Sequence, residues 1–357
     1  MTIGDKHFVY NGLPTRVVFG SGTSARVGEE ARRAGVKRPL VLSTPEQQNE
    51  ARALAAKLGM EVAGFFSEAT MHTPVEVTER ALRAGAETKA DGTIALGGGS
   101  TTGLGKAIAL RTDLPQIVLP TTYAGSEMTN ILGETSEGRK KTLRSPKVQP
   151  EVVVYDVDLT LTLPPRLSAT SGMNAIAHAV EGLYAEDHNP IVTLMALEAI
   201  RAMAEGLPAI IDRPWDAAAR AKALYGAWLC GTVLGSVGMA LHHKVCHVLG
   251  GSFDLPHADT HTVMLPHVVS FNARAVPEKL APVAEILGSA GPGQGLFDLV
   301  KRIGGPTALK DIGMPADGLD RASAMATESP YYNPRQPSRE EIRALLEDVF
   351  HGRRPEL

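Results

Sequence analysis

Short apolar runs alternate with helical patterns along the first 162 residues, and this alternation then stops. The predicted strands are residues 16–19, 39–43, 61–66, 92–96 and 116–120, each followed by a turn or loop. Strands that alternate with helices in this way form a parallel sheet with helices on both faces. We therefore expect an α/β domain over residues 1–162.

Helical periodicity dominates from residue 163 to the end, and strand signals nearly vanish. The predicted helices include residues 169–184, 191–205, 216–241, 278–287 and 340–350. Residues 152–165 are expected to contain the last strand and the crossover between the two halves. We therefore predict a second, all-α domain over residues 163–357.

Charge and composition exclude several classes of protein. The formal net charge is −3, which argues against a nucleic-acid partner, because such proteins usually carry a basic face. No apolar run approaches the roughly 20 residues that span a bilayer, and the first ten residues lack the apolar core of a signal peptide. We expect a cytoplasmic protein with no membrane partner.

The chain has only two cysteines, Cys230 and Cys246, too few for a disulfide framework. Cys246 lies inside a histidine-rich segment, so a metal or catalytic role has to be weighed. We favour a small buried apolar side chain at this position, because free cysteines are usually buried and inert.

Two loops that follow strands have the composition of a nucleotide site. Gly97-Gly98-Gly99-Ser100 leaves one strand and opens a helix, where backbone N–H groups and the helix dipole favour phosphate. Alone, such a turn is equally compatible with no ligand, and it is not the G-x-G-x-x-G fingerprint. The next loop adds three hydroxyl side chains, and together the loops predict a Rossmann-like dinucleotide site. Its candidate contacts are Gly97, Gly98, Gly99, Ser100, Thr121, Thr122 and Ser126.

The end of the second strand bears on cofactor choice. Ser43 and Thr44 offer hydroxyls that bind either a ribose 2′-hydroxyl or a 2′-phosphate, and Glu46 follows them. We expect NADH to be modestly preferred and NADPH to be accepted. Lys141 is a further candidate cofactor contact, although a solvated loop is the alternative interpretation of its basic segment.

Histidines cluster in the second half of the chain. Asn174 and His178 are four residues apart in a helical pattern, as are His243 and His247, so each pair shares a helix face. His257 follows a proline that suggests a loop, from which it can fold back. We predict a functional cluster of Asn174, His178, His243, His247 and His257. His242, His261 and His267 are expected to be structural or surface residues.

In this order and spacing, these segments resemble the iron-containing (group III) alcohol dehydrogenase superfamily almost end to end. Further matching segments are Phe19-Gly20-Ser21-Gly22, Ser145-Pro146-Lys147, Asn189-Pro190 and Asn333-Pro334-Arg335. The resemblance implies the dehydroquinate synthase-like architecture, with an α/β domain and an all-α domain. It also implies a homodimer.

Two departures narrow the resemblance. The superfamily's metal site uses an aspartate and three histidines, at positions that correspond here to Asn174, His178, His243 and His257; the aspartate is replaced by an amide. Gly103 stands where the glycine-rich turn usually ends in aspartate. Both departures resemble the branch that reduces the carbon–carbon double bond of maleylacetate, a small dicarboxylate, to 3-oxoadipate. This branch implies NADH, often NADPH as well, and no metal.

The expected absence of metal has a chemical basis. Three imidazoles and an amide bring no anionic charge to balance a divalent ion. Hydride addition to an enone places charge on an enolate, which hydrogen-bond donors can stabilise. His243 and His247 are the candidate donors to the ketone oxygen or the α carbon, and His178, His257 and Asn174 would line the same pocket.

Two alternatives remain open from the sequence. One is a metal-dependent alcohol or polyol dehydrogenase of the same superfamily, against which Asn174 argues. The other is a nucleotide-binding protein without redox activity, against which the intact histidine cluster argues.

Overall fold

The computed structural model describes residues 7–136 and 139–356. Within them the chain forms two compact units. One is Leu13–Leu163, and the other is Pro164–Leu357 together with the segment that precedes Leu13. The first unit is built on a parallel sheet and the second is helical, which confirms the predicted architecture.

A six-stranded parallel sheet forms the centre of the first unit. Its strands are β1 (Arg16–Gly20), β2 (Pro39–Leu42), β3 (Gly64–Phe66), β4 (Gly92–Gly97), β5 (Gln116–Pro120) and β8 (Val152–Asp156). They lie in the order β1-β8-β5-β4-β2-β3. β2, β4, β5 and β8 are buried along their whole length, as expected for strands covered on both faces.

Four helices connect these strands: α1 (Val27–Arg33), α2 (Gln48–Ala55), α3 (Val75–Glu87) and α4 (Gly99–Thr112). Side chains such as Val41, Ile94, Ile117 and Val154 form one core with Val27 and Ala31 of α1. This packing fixes the strand ends, and with them the loops that leave the sheet.

A separate hairpin corrects the prediction of a solvated loop in the basic segment. β6 (Ile131–Ser136) and β7 (Arg139–Arg144) pair antiparallel, with Glu134 opposite Lys141. The strand was missed because the residues of β7 are mostly charged, so no apolar alternation marks it.

Nine helices of eight or more residues are described in the second unit. They are α5 (Pro165–Tyr184), α6 (Pro190–Asp212), α7 (Ala217–Ser236), α8 (Leu241–Phe253), α9 (His257–Ala273), α10 (Pro277–Ile286), α11 (Pro292–Arg302), α12 (Leu319–Thr327) and α13 (Arg339–His351). One core cluster joins α8, α9, α12 and α13 through Leu249, Met264, Ala326 and Leu346.

The predicted continuous helix over residues 216–241 is wrong, because the chain breaks between α7 and α8. The break frees backbone N–H groups for side-chain acceptors. Gly238 N donates to Asp187 Oδ1 at 2.9 Å, and Ala240 N donates to Glu181 Oε2 at 3.1 Å. A buried carboxylate on another helix therefore sets where α8 begins.

In the described part of the chain, no single helix is long and apolar enough to cross a membrane. α7 and α8 pass that test only when taken together, and they are bent by 96° at the break between them.

Candidate active site

The glycine-rich turn connects β4 to α4. Gly97 ends β4, Gly98 is the N-cap residue of α4, and no side chain caps this helix. The first backbone N–H groups of α4 are thus left to other acceptors, and the helix dipole makes this end positive. Ser100 lies in the first turn and not at the cap. This arrangement suits a phosphate group.

The loops that follow β2, β4 and β5 lie against one another. Thr121 N donates to the carbonyl of Gly97 at 3.1 Å, and Gln47 Nε2 donates to Thr121 Oγ1 at 3.1 Å. A Cβ on Gly98 would lie 2.9 Å from Thr122 Cγ2. β2 and β4 are neighbours in the sheet, but the chain continues from β2 to β3 on one side and from β4 to β5 on the other. Such a topological switch point is where α/β sheets bind ligands.

Ser126 is the candidate cofactor contact with the clearest unpaired polar atom among the described residues. Its Oγ is buried and has no hydrogen-bond partner among the described residues. A Cβ on Gly99 would lie 3.9 Å from it, so the hydroxyl faces the glycine-rich turn. A buried hydroxyl beside an uncapped helix end is a suitable donor to a bound ligand.

The structure gives less support to three other residues near the proposed cofactor site. Ser43 is buried, and its Oγ forms a 2.9 Å hydrogen bond with Ser67 Oγ, so its hydroxyl is already engaged. Hydrogen bonds from its own backbone and from the Thr44 side chain lower the pKa of Glu46, which places this carboxylate beside Thr44. Lys141 lies exposed on β7, in the two-stranded sheet and not on one of the three loops.

A buried lysine holds the segment that carries Ser126. Lys106 of α4 is 1% exposed, and four oxygens surround its Nζ. They are the carbonyl oxygens of Ser126, Thr129 and Ile131 at 2.6, 2.7 and 2.9 Å and Thr129 Oγ1 at 2.8 Å. The helix that begins at the glycine-rich turn is therefore tied to the loop after β5.

The predicted histidine cluster is assembled from three helices of the second unit. α5 contributes Asn174 and His178, α8 contributes His243 and His247, and α9 begins with His257. The rings of His178 and His243 are stacked with centroids 5.1 Å apart, and those of His243 and His247 are 6.1 Å apart. Asn174, His178 and His243 are buried, whereas His247 is exposed and His257 is half-buried.

Glu181 is a functional candidate that the sequence analysis missed. It is fully buried on α5, three residues after His178, and its Oε2 lies 2.5 Å from His243 Nδ1. Its Oε1 accepts from His242 N at 2.8 Å. Burial opposes its ionisation, but the charge and hydrogen bond of His243 prevail and lower the pKa of Glu181. The cluster therefore contains a buried carboxylate.

Two further histidines, expected to be structural or on the surface, are completely buried beside the cluster. His242 Nε2 and His261 Nδ1 lie 3.0 Å apart. Burial is the main reason that the pKa of His242 falls to about 3 and that the pKa values of His261 and His178 fall well below the ordinary value. These imidazoles are neutral near pH 7, the form in which histidine binds metals and accepts hydrogen bonds.

The chain matches two family models that together cover most of its length. The model described as iron-containing alcohol dehydrogenase matches residues 14–157, and its C-terminal counterpart, Fe-containing alcohol dehydrogenase family, matches residues 168–350. The chain belongs to the iron-containing alcohol dehydrogenase family. The resemblance predicted from its motifs is confirmed, and the chain is an oxidoreductase.

Relatives within the iron-containing alcohol dehydrogenase family are similar over nearly the whole chain. A maleylacetate reductase of Rhizobium sp. (strain MTP-10005) is 58% identical, over 98% of this chain and 99% of the relative. The crystal structure of maleylacetate reductase from Agrobacterium tumefaciens has a TM-score of 0.95 at 57% identity, covering 98% of this chain and 100% of that one.

The prediction of a protein without metal is contradicted by these findings. The family is iron-containing, and a solved iron-containing alcohol dehydrogenase from Corynebacterium glutamicum is 40% identical, with a TM-score of 0.93 over 99% of this chain and 98% of that one. In the described structure, His242, Cys246 and His261 also form a group of donors able to hold a metal ion. The prediction counted only the four aligned side chains and overlooked the charge of Glu181.

The side chains at the family's metal positions fit a divalent ion. Asn174 Oδ1, His178 Nδ1 and His243 Nε2 are buried and have no hydrogen-bond partner among the described residues. Glu181 binds the other nitrogen of His243, as carboxylates commonly do behind a metal-binding histidine. These three side chains, with His257, would hold the ion, and Glu181 would supply the charge that Asn174 lacks.

Proposed function

We propose that this chain reduces the carbon–carbon double bond of maleylacetate to 3-oxoadipate with NADH, and that it accepts NADPH. The main support from the geometry is His243, whose Nδ1 is engaged by Glu181 and whose Nε2 has no partner among the described residues. An imidazole fixed in this way presents one defined nitrogen to a substrate. The similarity to maleylacetate reductases favours this reaction over alcohol oxidation.

The reaction needs one hydride and one proton. The hydride passes from the nicotinamide to the carbon β to the ketone, and charge develops on the enolate oxygen. His247 donates to that oxygen or delivers the proton to the α carbon, and His243 does so only as the imidazolium, with a proton and no ion on its Nε2. His178, His257 and Asn174 line the same pocket. Asn174, His178, His243 and His257 would hold a metal ion, and that ion would supply Lewis-acid stabilisation of the developing negative charge.

Each unit has its own part in the proposal. Residues 1–162 bind the dinucleotide, and residues 163–357 bind the substrate and carry the catalytic side chains. The proposed cofactor contacts are Ser43, Thr44, Gly97, Gly98, Gly99, Ser100, Thr121, Thr122, Ser126 and Lys141. The uncapped start of α4 and the buried Ser126 hydroxyl support this assignment. The resemblance to the superfamily supports a homodimer, and the presence of only two cysteines, too few for a disulfide framework, supports a cytoplasmic location.

The test is NADH oxidation with maleylacetate, with the product identified by mass spectrometry and NMR. With NADH deuterated at the transferred position, one deuterium should appear on the carbon β to the ketone. Short-chain alcohols and polyols with NAD⁺ serve as the comparison. Turnover of those alcohols without turnover of maleylacetate would favour the alcohol dehydrogenase alternative. NADH binding without turnover of any enone, ketone or aldehyde would favour a non-catalytic protein.

A further inference from the structure

A second group of metal-binding side chains lies beside the histidine cluster. His242 and Cys246 are four residues apart on α8, and His261 comes from α9. One donor atom from each lies within 4.8 Å of the other two. All three residues are at most 1% exposed. None of them aligns with the family's metal positions, which are Asn174, His178, His243 and His257.

The separations are close to those of a tetrahedral site. With zinc–nitrogen and zinc–sulfur bonds of usual length, two nitrogens lie about 3.3 Å apart and nitrogen and sulfur about 3.6 Å apart. Here His242 Nε2 lies 3.0 Å from His261 Nδ1 and 3.7 Å from Cys246 Sγ. The third separation, between the donor atoms of Cys246 and His261, is within 4.8 Å, so a movement of about 1 Å or less at this pair would let one ion reach all three atoms.

We propose that His242, Cys246 and His261 form a second metal site, for a zinc-like divalent cation. On binding, the Cys246 thiol loses its proton to solvent and becomes a thiolate, and the two imidazoles bind as neutral ligands. The proton that His242 and His261 now share moves to a nitrogen that does not face the ion. Thiolate and imidazole are the ligands that zinc and cobalt(II) prefer, whereas magnesium and calcium prefer oxygen.

The local charge favours a cation at this position. A thiolate contributes one negative charge, and the Glu181 carboxylate accepts a hydrogen bond from the backbone of His242 itself. A divalent ion here is thus balanced by the thiolate charge, while the charge of Glu181 is shared with the family's metal positions.

Cobalt(II) provides the direct test, because it gives a thiolate charge-transfer band in the near ultraviolet only when sulfur is bound. We expect the tag-free, chelator-treated full chain to develop this band on titration with cobalt, saturating at one thiolate-bound ion per chain. Zinc should displace the cobalt and remove the band. Cys246→Ser should abolish it, while Cys230→Ser, at the other buried cysteine, should leave it unchanged. Asn174→Ala should also retain it, since that residue belongs to the family's positions.

Zinc X-ray absorption on the wild-type chain keeps the proposal testable if Cys246→Ser does not fold. X-ray absorption averages over all zinc, so for a chain loaded with one zinc per site we expect about half a sulfur per zinc, together with at least two imidazoles, because only one of the two sites offers a thiolate. A shell without sulfur, the absence of a charge-transfer band, or a band that persists in a folded Cys246→Ser variant would each overturn the assignment.

Discussion

Glu181 Oε2 lies 2.5 Å from Nδ1 of His243, and this contact determines which nitrogen of His243 is left for other partners. A carboxylate acceptor favours the form in which Nδ1 carries the proton. Nε2 then becomes the nitrogen available to a substrate or a metal ion. The same carboxylate accepts from the backbone of Ala240 and His242, so it also holds the start of the helix that carries His243.

Glu181→Gln should lower kcat by about 10- to 100-fold, the usual effect of removing the partner behind a functional histidine. The amide also accepts a hydrogen bond but carries no charge, so the proton on Nδ1 is held less firmly. ¹⁵N NMR of histidine-labelled protein should show a change in the protonation pattern of His243. Glu181→Asp should retain more activity than Glu181→Gln. A kcat and an NMR pattern unchanged in Glu181→Gln would contradict the positioning role.

His243→Ala and His247→Ala should each lower kcat by about 10²–10⁴-fold, the range of acid–base assistance. The NADH dissociation constant, followed by fluorescence, should stay near that of the wild type, because the proposed cofactor contacts lie in the other unit. His351→Ala is the matched control, since His351 is exposed at the end of α13 and contacts Glu347. Retention of more than about a third of the wild-type rate in both variants would refute the catalytic assignment.

Gly99→Ala should weaken cofactor binding without changing the stability of the fold. The added Cβ meets nothing in the protein closer than 3.9 Å, so the melting temperature should not change. It would occupy the space through which a phosphate approaches the start of α4, and we expect NADH affinity to fall at least about 10-fold. Gly105→Ala, in the same helix, has a nearest contact of 3.7 Å and should leave NADH affinity unchanged. Unchanged NADH affinity in Gly99→Ala would show that the cofactor does not bind at the start of α4.

Cofactor preference should respond to charge at the end of β2. The wild type should use both cofactors, with a preference for NADH below about 10³-fold in kcat/KM, measured at fixed substrate and ionic strength. Thr44→Asp should reduce NADPH use far more than NADH use, because a carboxylate repels the 2′-phosphate. Glu46→Gln should shift the preference toward NADPH, since Glu46 lies beside Thr44. Equal effects on both cofactors would show that the ribose binds elsewhere.

Glu30 should make stability depend on pH in acid. Its buried carboxylate lies 2.7 Å from Arg16 Nε and 3.3 Å from Arg26 Nη2. The hydrogen bond from Arg16 is the largest of the effects that lower the pKa of Glu30 below its ordinary value of 4.5. The stabilisation is therefore complete above pH 4.5 and is lost as pH falls through the lowered folded-state pKa.

Glu30→Gln should consequently melt several degrees below the wild type near pH 7, and the gap should narrow below pH 4.5. Glu285→Gln is a carboxylate control from the second unit, with no gap expected. A gap that stays constant down to pH 3 would show that packing, and not ionisation, accounts for the loss.

Prediction from the sequence was most successful where the residue pattern within a single strand or helix is sufficient to identify it. All six strands of the parallel sheet coincide with apolar runs, and the signal comes mainly from β2, β4, β5 and β8, which are buried along their whole length and contain few polar residues. β7 was missed because its composition, rich in Arg and Lys, resembles that of a loop. The i,i+4 spacing correctly placed His243 and His247 on one helix, and their functional assignment stays a prediction.

The parts of the site that were missed depend on contacts between helices. Glu181 shares a face of α5 with His178, which was a usable signal, but its partner His243 lies 62 residues away in sequence. Cys246 is buried in the hydrophobic core, as expected from the sequence, but its neighbour His261 lies on α9, so no spacing within α8 relates the two. The absence of metal was argued from four side chains alone, and no spacing rule could show that a fifth, charged side chain touches one of them.

The four oxygens around Lys106 make α4 and the segment Ser126–Ile131 a single transferable module. A protein engineer who grafts only Gly97–Ser100 into another scaffold would leave Lys106 behind, and the grafted turn would lack the loop that faces it. Grafting the loop without Lys106 would remove one donor from each of three carbonyl oxygens, at the cost that backbone groups away from water incur when they lose a hydrogen bond. The helix, its lysine and the loop therefore have to be exchanged together.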